Sequence, residues 1–166
     1  MDREAVASHI PRLRRYARAL VGDRHRADDL VQDTLERALT KLHLWRPGSD
    51  MRAWLFAIMH NLYVNQARAR RSGIASLEDI AEPPAPGGAV DRLEIRDLQA
   101  ALAAIPAEQR AVVLLVGLEE MSYAEAARAL GVPIGTVMSR LARGRERLRQ
   151  LLASGAGAAP SLKVVK

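Results

Sequence analysis

Residues Ser122 to Arg140, followed by Arg143, Arg145, Arg147 and Arg149, are the stretch whose residue types and spacing bear most directly on chemistry. Ser122 can N-cap a short helix, with Glu125 three residues on completing a capping box, and Gly131 can end that helix in a left-handed conformation. Pro133 suits the first turn of a second helix, where its missing N–H costs nothing. The pattern predicts a helix-turn-helix that leads into a long basic helix. In that second helix Val137, Leu141, Gly144, Leu148 and Leu152 recur at three- and four-residue steps as a packing stripe. Thr136, Arg140, Arg143 and Arg147 fall on a neighbouring stripe about 110° away. A hydroxyl and a row of guanidiniums on one face suit base edges and phosphates in a major groove. The bland alternative is an αα-hairpin with a solvated charged face. Arginine without lysine, opposed locally only by Glu146, weighs against it.

Two earlier stretches carry further polar patterns. Over Met51 to Arg71, Trp54, Ile58, Asn61, Asn65 and Arg68 share one helical stripe, Leu55, Met59 and Leu62 form another that can pack inward, and Phe56, Tyr63 and Arg70 lie on a third side. Aromatic rings interleaved with amides and arginines can stack on unpaired bases and hydrogen-bond their edges. The structural alternative is that Trp54 and Phe56 are core residues. Asn61 and Asn65 are weak helix formers at mid-helix, a cost that points to a functional reason. Upstream, Asp28, Asp29, Asp33 and Glu36 cluster opposite a seam of Val31, Leu35, Leu39 and Leu42. The helix dipole accounts for part of this acidity. An acidic helix in an otherwise basic unit suits docking to a protein better than binding to a polyanion.

The elements that position these residues are all helical. Patterning predicts a helix over about residues 2 to 20, a stop at Val21-Gly22, and a second helix capped by Asp23 that runs to about Leu44. Arg46-Pro47-Gly48-Ser49-Asp50 reads as a loop, and a third helix runs from Met51 or Arg52 to about Arg71. Residues 72 to 92 combine prolines, glycines and acids with little periodicity and read as a flexible linker, with one transient turn at Leu77 to Ile80. Helices resume at about Val90 to Ala104, Pro106 opens the next, and the last residues form a small-residue tail. The expected fold class is all-α: two small helical domains, 1–72 and 93–153, joined by a linker over 73–92 and followed by a disordered tail over 154–166. The C-terminal domain contains the helix-turn-helix.

Composition narrows the function. The formal net charge is +6, and it is unevenly placed: 14 Lys/Arg against 8 Asp/Glu in residues 1 to 71, and 9 against 5 in residues 99 to 166, flank an acidic middle. Two basic ends suggest two surfaces for a polyanion and a connector that does not stick to it. Zero cysteines excludes disulfides and thiolate metal sites. No 18-residue apolar run and no signal peptide stand out, so the expectation is a cytoplasmic protein without membrane insertion. His9, His25, His43 and His60 show no metal-ligand spacing and no Gly-rich phosphate loop follows a strand, so no catalytic residue, metal or cofactor is expected.

The run Ala27-Asp28-Asp29-Leu30-Val31-Gln32-Asp33-Thr34-Leu35, then Arg52-Ala53-Trp54-Leu55-Phe56 to Asn61, then Ile105-Pro106 and Ser122-Tyr123 to Arg143 resemble the extracytoplasmic-function (ECF) class of bacterial RNA polymerase sigma factors. The resemblance covers about residues 8 to 152, and three motifs in this order are far more specific than any one. It implies a non-enzymatic transcription factor that binds core RNA polymerase, recognises promoter DNA as duplex and as melted non-template strand, and promotes melting for initiation. It also implies an anti-sigma factor as a partner.

Carried over residue by residue, the resemblance implies a polymerase-binding surface at Asp29, Gln32, Asp33, Glu36 and Arg37. It implies a minus-ten surface at Pro47, Gly48, Ser49, Asp50, Trp54, Asn61 and Asn65, with Arg68, Arg70 and Arg71 near the backbone. The minus-thirty-five helix falls on Gly135, Thr136, Met138, Ser139, Arg140 and Arg143, with Arg147 a turn further on. Two residues depart from the family pattern. Met138 stands where several relatives carry a basic residue, which puts an apolar contact with a thymine methyl in place of a polar one. Glu120 stands where many have glycine, which implies a shifted or strained turn at a cost of roughly 1 kcal/mol. Two readings compete: a plain helix-turn-helix regulator whose N-terminal half is a dimerisation or sensing domain, and a sigma-like decoy that binds a regulator but not the polymerase.

Overall fold

The computed structural model describes residues 2–71 and 89–154. These residues form eight α-helices and no strand: α1 (Asp2–Ser8), α2 (Ile10–Val21), α3 (Arg24–Thr40), α4 (Met51–Arg71), α5 (Ala89–Ala104), α6 (Ala107–Gly117), α7 (Tyr123–Leu130) and α8 (Ile134–Ala153). The first predicted helix is two. Pro11 has no N–H to give to a preceding turn, so the chain breaks at His9 and restarts with the proline at the head of α2. Gly22, at φ +83°, closes α2, and its N–H donates to the Arg18 carbonyl. Asp23 then caps α3 by accepting from the His25 N–H. The second predicted helix ends at Thr40 rather than Leu44, and a 3-10 turn over Leu42–Leu44 leads into the loop. α5 begins at Ala89, inside the stretch read as linker. The rest of that stretch, including the turn at Leu77 to Ile80, and the tail beyond Ser154 lie outside the described residues.

The N-terminal half packs α2, α3 and α4 around Leu13, Tyr16, Leu20, Leu30, Leu55, Phe56 and Met59, all buried. The Tyr16 and Phe56 rings meet edge to face with centroids 5.0 Å apart. Phe56 is therefore a core ring, which is the structural alternative weighed for it in the sequence. The seam of α3 also shifts by a residue: Ala27, Leu30, Val31, Thr34 and Ala38 are buried, whereas Leu39 is exposed. Thr34 can take a buried place because its hydroxyl donates to the Leu30 carbonyl at 2.7 Å.

The C-terminal half packs α6, α7 and α8 around Val112, Leu115, Ala126, Val137 and Leu141. Gly144 lets α8 approach α6, since a Cβ there would sit 2.8 Å from Val113 Cγ2 and 3.3 Å from Gln109 Cβ. The expected stripe of α8 holds through Val137, Leu141, Gly144 and Leu148, but Leu152 is exposed. Leu152 is reached by two successive four-residue steps, each about 40° past a full turn, whereas the partly buried Leu151, three residues after Leu148, continues the alternation and packs in its stead.

The helix-turn-helix is built as its residues dictate. Ser122 Oγ accepts from the Glu125 N–H at 3.0 Å and Glu125 Oε1 accepts from the Ser122 N–H at 2.9 Å, a complete capping box. Gly131 ends α7 at φ +68°. Glu120 sits at φ +57°, the one non-glycine with positive φ among the described residues, at the expected tight turn. Glycine is cheap in that conformation and alanine is not. Glu120→Gly is therefore expected to raise stability by up to about 1 kcal/mol, and Gly131→Ala to lower it by about as much. Thermal melts of the two variants should shift in opposite directions; a shared direction would refute the strain at Glu120.

Candidate functional site

Each group of sequence-derived candidate residues lies on a different surface. Asp29, Gln32, Asp33, Glu36 and Arg37 are all exposed on the outer side of α3. Asp33 accepts from Gln66 Nε2 of α4 at 3.3 Å. Desolvation, then the like charges of Asp29 and Glu36, push its carboxyl up from the ordinary aspartate value, against the pull of Arg37. Asp28, the other acid of the cluster, is half-buried and lies 3.6 Å from Arg18 of α2. It belongs to the packing of α2 on α3 rather than to the outer face.

The loop before α4 presents Pro47, Gly48, Ser49 and Asp50 to solvent. Part of its polarity is spent locally. Ser49 Oγ donates to the Arg46 carbonyl at 2.6 Å, and Asp50 Oδ1 accepts from the Ala53 N–H at 3.2 Å and so caps α4. Along α4, Asn61, Asn65 and Arg68 are exposed, and Trp54 is half-buried against the core with one side open. Arg70 and Arg71 lie in the last turn with Arg68, where cations also complement the helix dipole. Trp54, Asn61, Asn65 and Arg68 thus make one polar-aromatic strip on the side of α4 away from Phe56 and Met59.

On α8, Gly135, Met138, Ser139, Arg143 and Arg147 are exposed and Thr136 is half-buried. Met138 is 52% exposed, so its thioether is available to a partner. Ser139 Oγ donates to the Thr136 carbonyl at 3.1 Å. Arg143 and Arg147 border an open cleft with Pro106, which precedes α6, and Gln109 of α6. Arg140 differs from its neighbours. Its side chain is 26% exposed, and Nη2 lies 3.6 Å from Glu108 Oε2 of α6.

Sequence reasoning missed the residues that join the two halves. Glu119 is buried, and its carboxylate accepts from Arg15 Nε and Nη2 of α2 at 3.1 to 3.3 Å. Arg52 of α4 donates to the Glu119 carbonyl at 3.0 Å and to Glu125 Oε2 at 2.8 Å. Arg110 of α6 donates to the Leu20 carbonyl at 2.9 Å and to the Leu102 and Ile105 carbonyls at 2.7 and 2.9 Å, which joins the end of α5 to α2. The hydrogen bond from the Ser122 N–H, then that from Arg52, hold the Glu125 carboxyl down at about 2, so it is ionised at neutral pH. His60 of α4 faces Arg140 and Glu108, and burial with the Arg140 charge lowers its pKa. The contacts that cross between the halves pair residues about 50 to 100 positions apart, for which no local pattern exists.

Among the described residues no cluster of His, Asp and Glu could hold a metal ion, and no helix is long and apolar enough to cross a membrane.

Comparison with known proteins identifies the two halves. Residues 6–60 match the family model described as the Sigma2 domain of PhyR, and residues 95–148 match Sigma-70, region 4. The chain is 38% identical over 155 residues to the ECF RNA polymerase sigma factor EcfG of Rhodopseudomonas palustris, covering 90% of this chain and 84% of that one. It is 40% identical to the ECF RNA polymerase sigma factor SigE of Mycolicibacterium smegmatis, over 90% of this chain and 61% of that one. The fold resembles the sigma factor RpoE in complex with the anti-sigma factor NepR from Bartonella quintana, with a TM-score of 0.76, 37% identity and coverage of 90% of this chain and 95% of that one. It also resembles CnrH in complex with the cytosolic domain of CnrY, with a TM-score of 0.69, 30% identity and coverage of 91% and 86%. With an N-terminal sigma2 half, a region 4 helix-turn-helix half and a relative 38% identical that is matched over 84% of its length, the chain belongs to the ECF family of RNA polymerase sigma factors.

Proposed function

We propose that this sigma factor docks on core RNA polymerase through Asp29, Gln32, Asp33, Glu36 and Arg37. In this reading the loop Pro47 to Asp50 with Trp54, Asn61, Asn65 and Arg68 holds the melted minus-ten strand, and Thr136, Met138, Ser139, Arg140 and Arg143 read the minus-thirty-five duplex. Arg70, Arg71 and Arg147 serve as phosphate contacts and Gly135 as a close backbone approach. Residues 1–72 and 93–153 act as the two working units, 73–92 connects them, and the site of action is the cytoplasm. The observation that carries the reading is the two-sided build of α4. Phe56 and Met59 anchor one side in the core, so that weak helix formers and a tryptophan edge are displayed together on the other. A helix selected only for packing has no use for that display.

Chemically the division is economical. The outer α3 face is acidic and suits a basic protein surface. The α4 strip offers a ring for stacking and amides for base edges, which is what an unpaired strand requires. The α8 face offers guanidiniums for a groove. An anti-sigma factor is a partner in this reading, supported by the complexes in which the related folds of RpoE and CnrH were solved.

One other reading is a sigma-like decoy that binds a regulator without polymerase. In vitro transcription with purified core polymerase on a pool of promoters separates the two. Template-selected initiation is expected, and its absence would leave the decoy.

Within this reading, Asp33→Arg should abolish co-purification with core polymerase. It relieves the repulsion from Asp29 and Glu36, so stability should change by no more than about 0.5 kcal/mol. Retained binding would sink the docking surface. The arginines of α8 should differ in kind. With holoenzyme on promoter variants across a salt series, Arg140→Ala or Arg143→Ala should cost about 1 to 3 kcal/mol and relax preference at one position. Arg147→Ala should weaken all sequences alike and lower the salt slope by about one unit. If all three leave preference and slope intact, α8 is a solvated face.

A further inference from the structure

α5 carries an apolar stripe that runs on past its packing. Ala101 and Leu102 are buried where α5 meets α2, α6 and α8. Toward the N-terminus the stripe continues with Leu98 and Ile95, which are 45% and 53% exposed. At 3.6 residues per turn Ile95, Leu98 and Leu102 lie within about 60° of one another, so they form one face rather than scattered apolar positions. Glu94 is exposed and Asp97 half-buried on one flank of that face, while Arg96 falls on the opposite side of the helix. The ion pairs among the described residues use neither of these two carboxylates.

The chain itself holds a segment of complementary chemistry, and it starts close by. Pro106, just past the end of α5, and Gln150, in the last turn of α8, line one open cleft, so the end of α8 lies beside the end of α5. Beyond Ser154 the residues from Gly155 to Ser161 are all Gly, Ala, Pro or Ser, and then the composition changes. Leu162, Lys163, Val164, Val165 and Lys166 place three apolar side chains beside two cations. Ile95 and Leu98, flanked by Glu94 and Asp97, are their counterpart. The reach is sufficient: the stretch of helix from the end of α5 back to Ile95 is about 14 Å long, and Gly155 to Ser161 can span about 20 Å. The cleft is a poorer seat, since Arg143 and Arg147 line it against Glu146 and would repel two lysines.

We infer that the face of α5 formed by Ile95 and Leu98 is a docking site for residues Leu162 to Lys166 of the same chain, with Lys163 and Lys166 beside Glu94 and Asp97. The inference does not depend on how α4 or α8 meets DNA. A contact of five residues is weak between separate molecules. A short tether changes this, because it presents the segment at an effective concentration on the order of 1 mM, about a hundredfold above a second copy at about 10 μM. Two half-exposed side chains also fall far short of the roughly 800 Å² per partner that a specific stable interface buries. The face therefore suits a tethered segment of this chain better than a second copy of it.

The test uses the full chain, which has no cysteine, so Ser161→Cys carries a single nitroxide. In the nitrogen-15 spectrum the nitroxide is expected to broaden the amides of Glu94 to Leu98, and its reduction should restore them. The tether alone broadens amides around the end of α8. Docking is separated from tethering by Ile95→Ser/Leu98→Ser, which should remove the broadening at residues 94 to 98 and leave that at the end of α8. Both positions are exposed, so the fold should be retained. Glu94→Lys/Asp97→Lys should also weaken the effect, and adding Lys163→Glu/Lys166→Glu should bring it back. Raising the salt to about 1 M, where screening acts over about 3 Å, should weaken the wild-type effect and leave that of Ile95→Ser/Leu98→Ser unchanged.

A mixture of nitroxide-labelled chain without nitrogen-15 and unlabelled nitrogen-15 chain tells the two occupants apart. No broadening is expected in the mixture. Broadening at residues 94 to 98 there would assign the face to a second copy and overturn the inference. Equal broadening in the wild type and in Ile95→Ser/Leu98→Ser would reduce the effect to the tether and overturn it as well. Failure of the double charge swap to restore the signal would overturn the pairing of the lysines with Glu94 and Asp97.

Discussion

A carboxylate with no exposure to solvent sits at the junction of the two halves, and the relation between them depends on how Glu119 is satisfied. Taking an ionised carboxylate out of water costs several kcal/mol unless charge and hydrogen bonds are returned to it. Here the compensation comes from Arg15 across the junction, while Arg52 takes the Glu119 carbonyl and Glu125 together. Because the acids belong to the C-terminal half and the arginines to the N-terminal half, neither half satisfies the group alone. The junction is therefore specific in register, as a greasy contact of equal area is not.

The same corner ties global arrangement to local helix chemistry. Glu125 uses one carboxylate oxygen to complete the capping box of α7 and the other to receive Arg52. A residue needed for the start of the helix-turn-helix thus also records whether the N-terminal half is docked. Glu120, beside it, holds a backbone conformation that costs most residues energy. Strain next to a buried charge is tolerated because capping and docking fix the chain on either side of it.

α4 shows how one helix serves three demands. Its core side is set by Leu55, Phe56 and Met59, its junction side by Arg52 and His60, and its remaining side displays Trp54, Asn61, Asn65 and Arg68. A helix of 21 residues has room for this because each demand needs only three or four positions on its own side. Membership of the ECF family gives the three sides of this helix a common context.

Much of this protein was legible in the sequence because the signals are local. The capping box at Ser122 and Glu125, the left-handed end at Gly131, the cap at Asp23 and the loop before α4 each depend on residues within four positions of one another, whereas the strained turn at Glu120 was implied by the family resemblance. The order of three motifs then gave the family. Where the sequence misled, packing decided. Leu39 and Leu152 turned outward because successive four-residue steps each advance about 40° past the stripe, and Pro11 divided a run that hydrophobic pattern had joined. What only the tertiary structure decided is the pairing of Arg15, Arg52 and Arg110 with partners in the other half, and the half-hidden place of Arg140. A single sequence gives the spacing of charges along the chain, but which charges meet is settled by how helices pack, since contacts between distant residues leave no periodic trace.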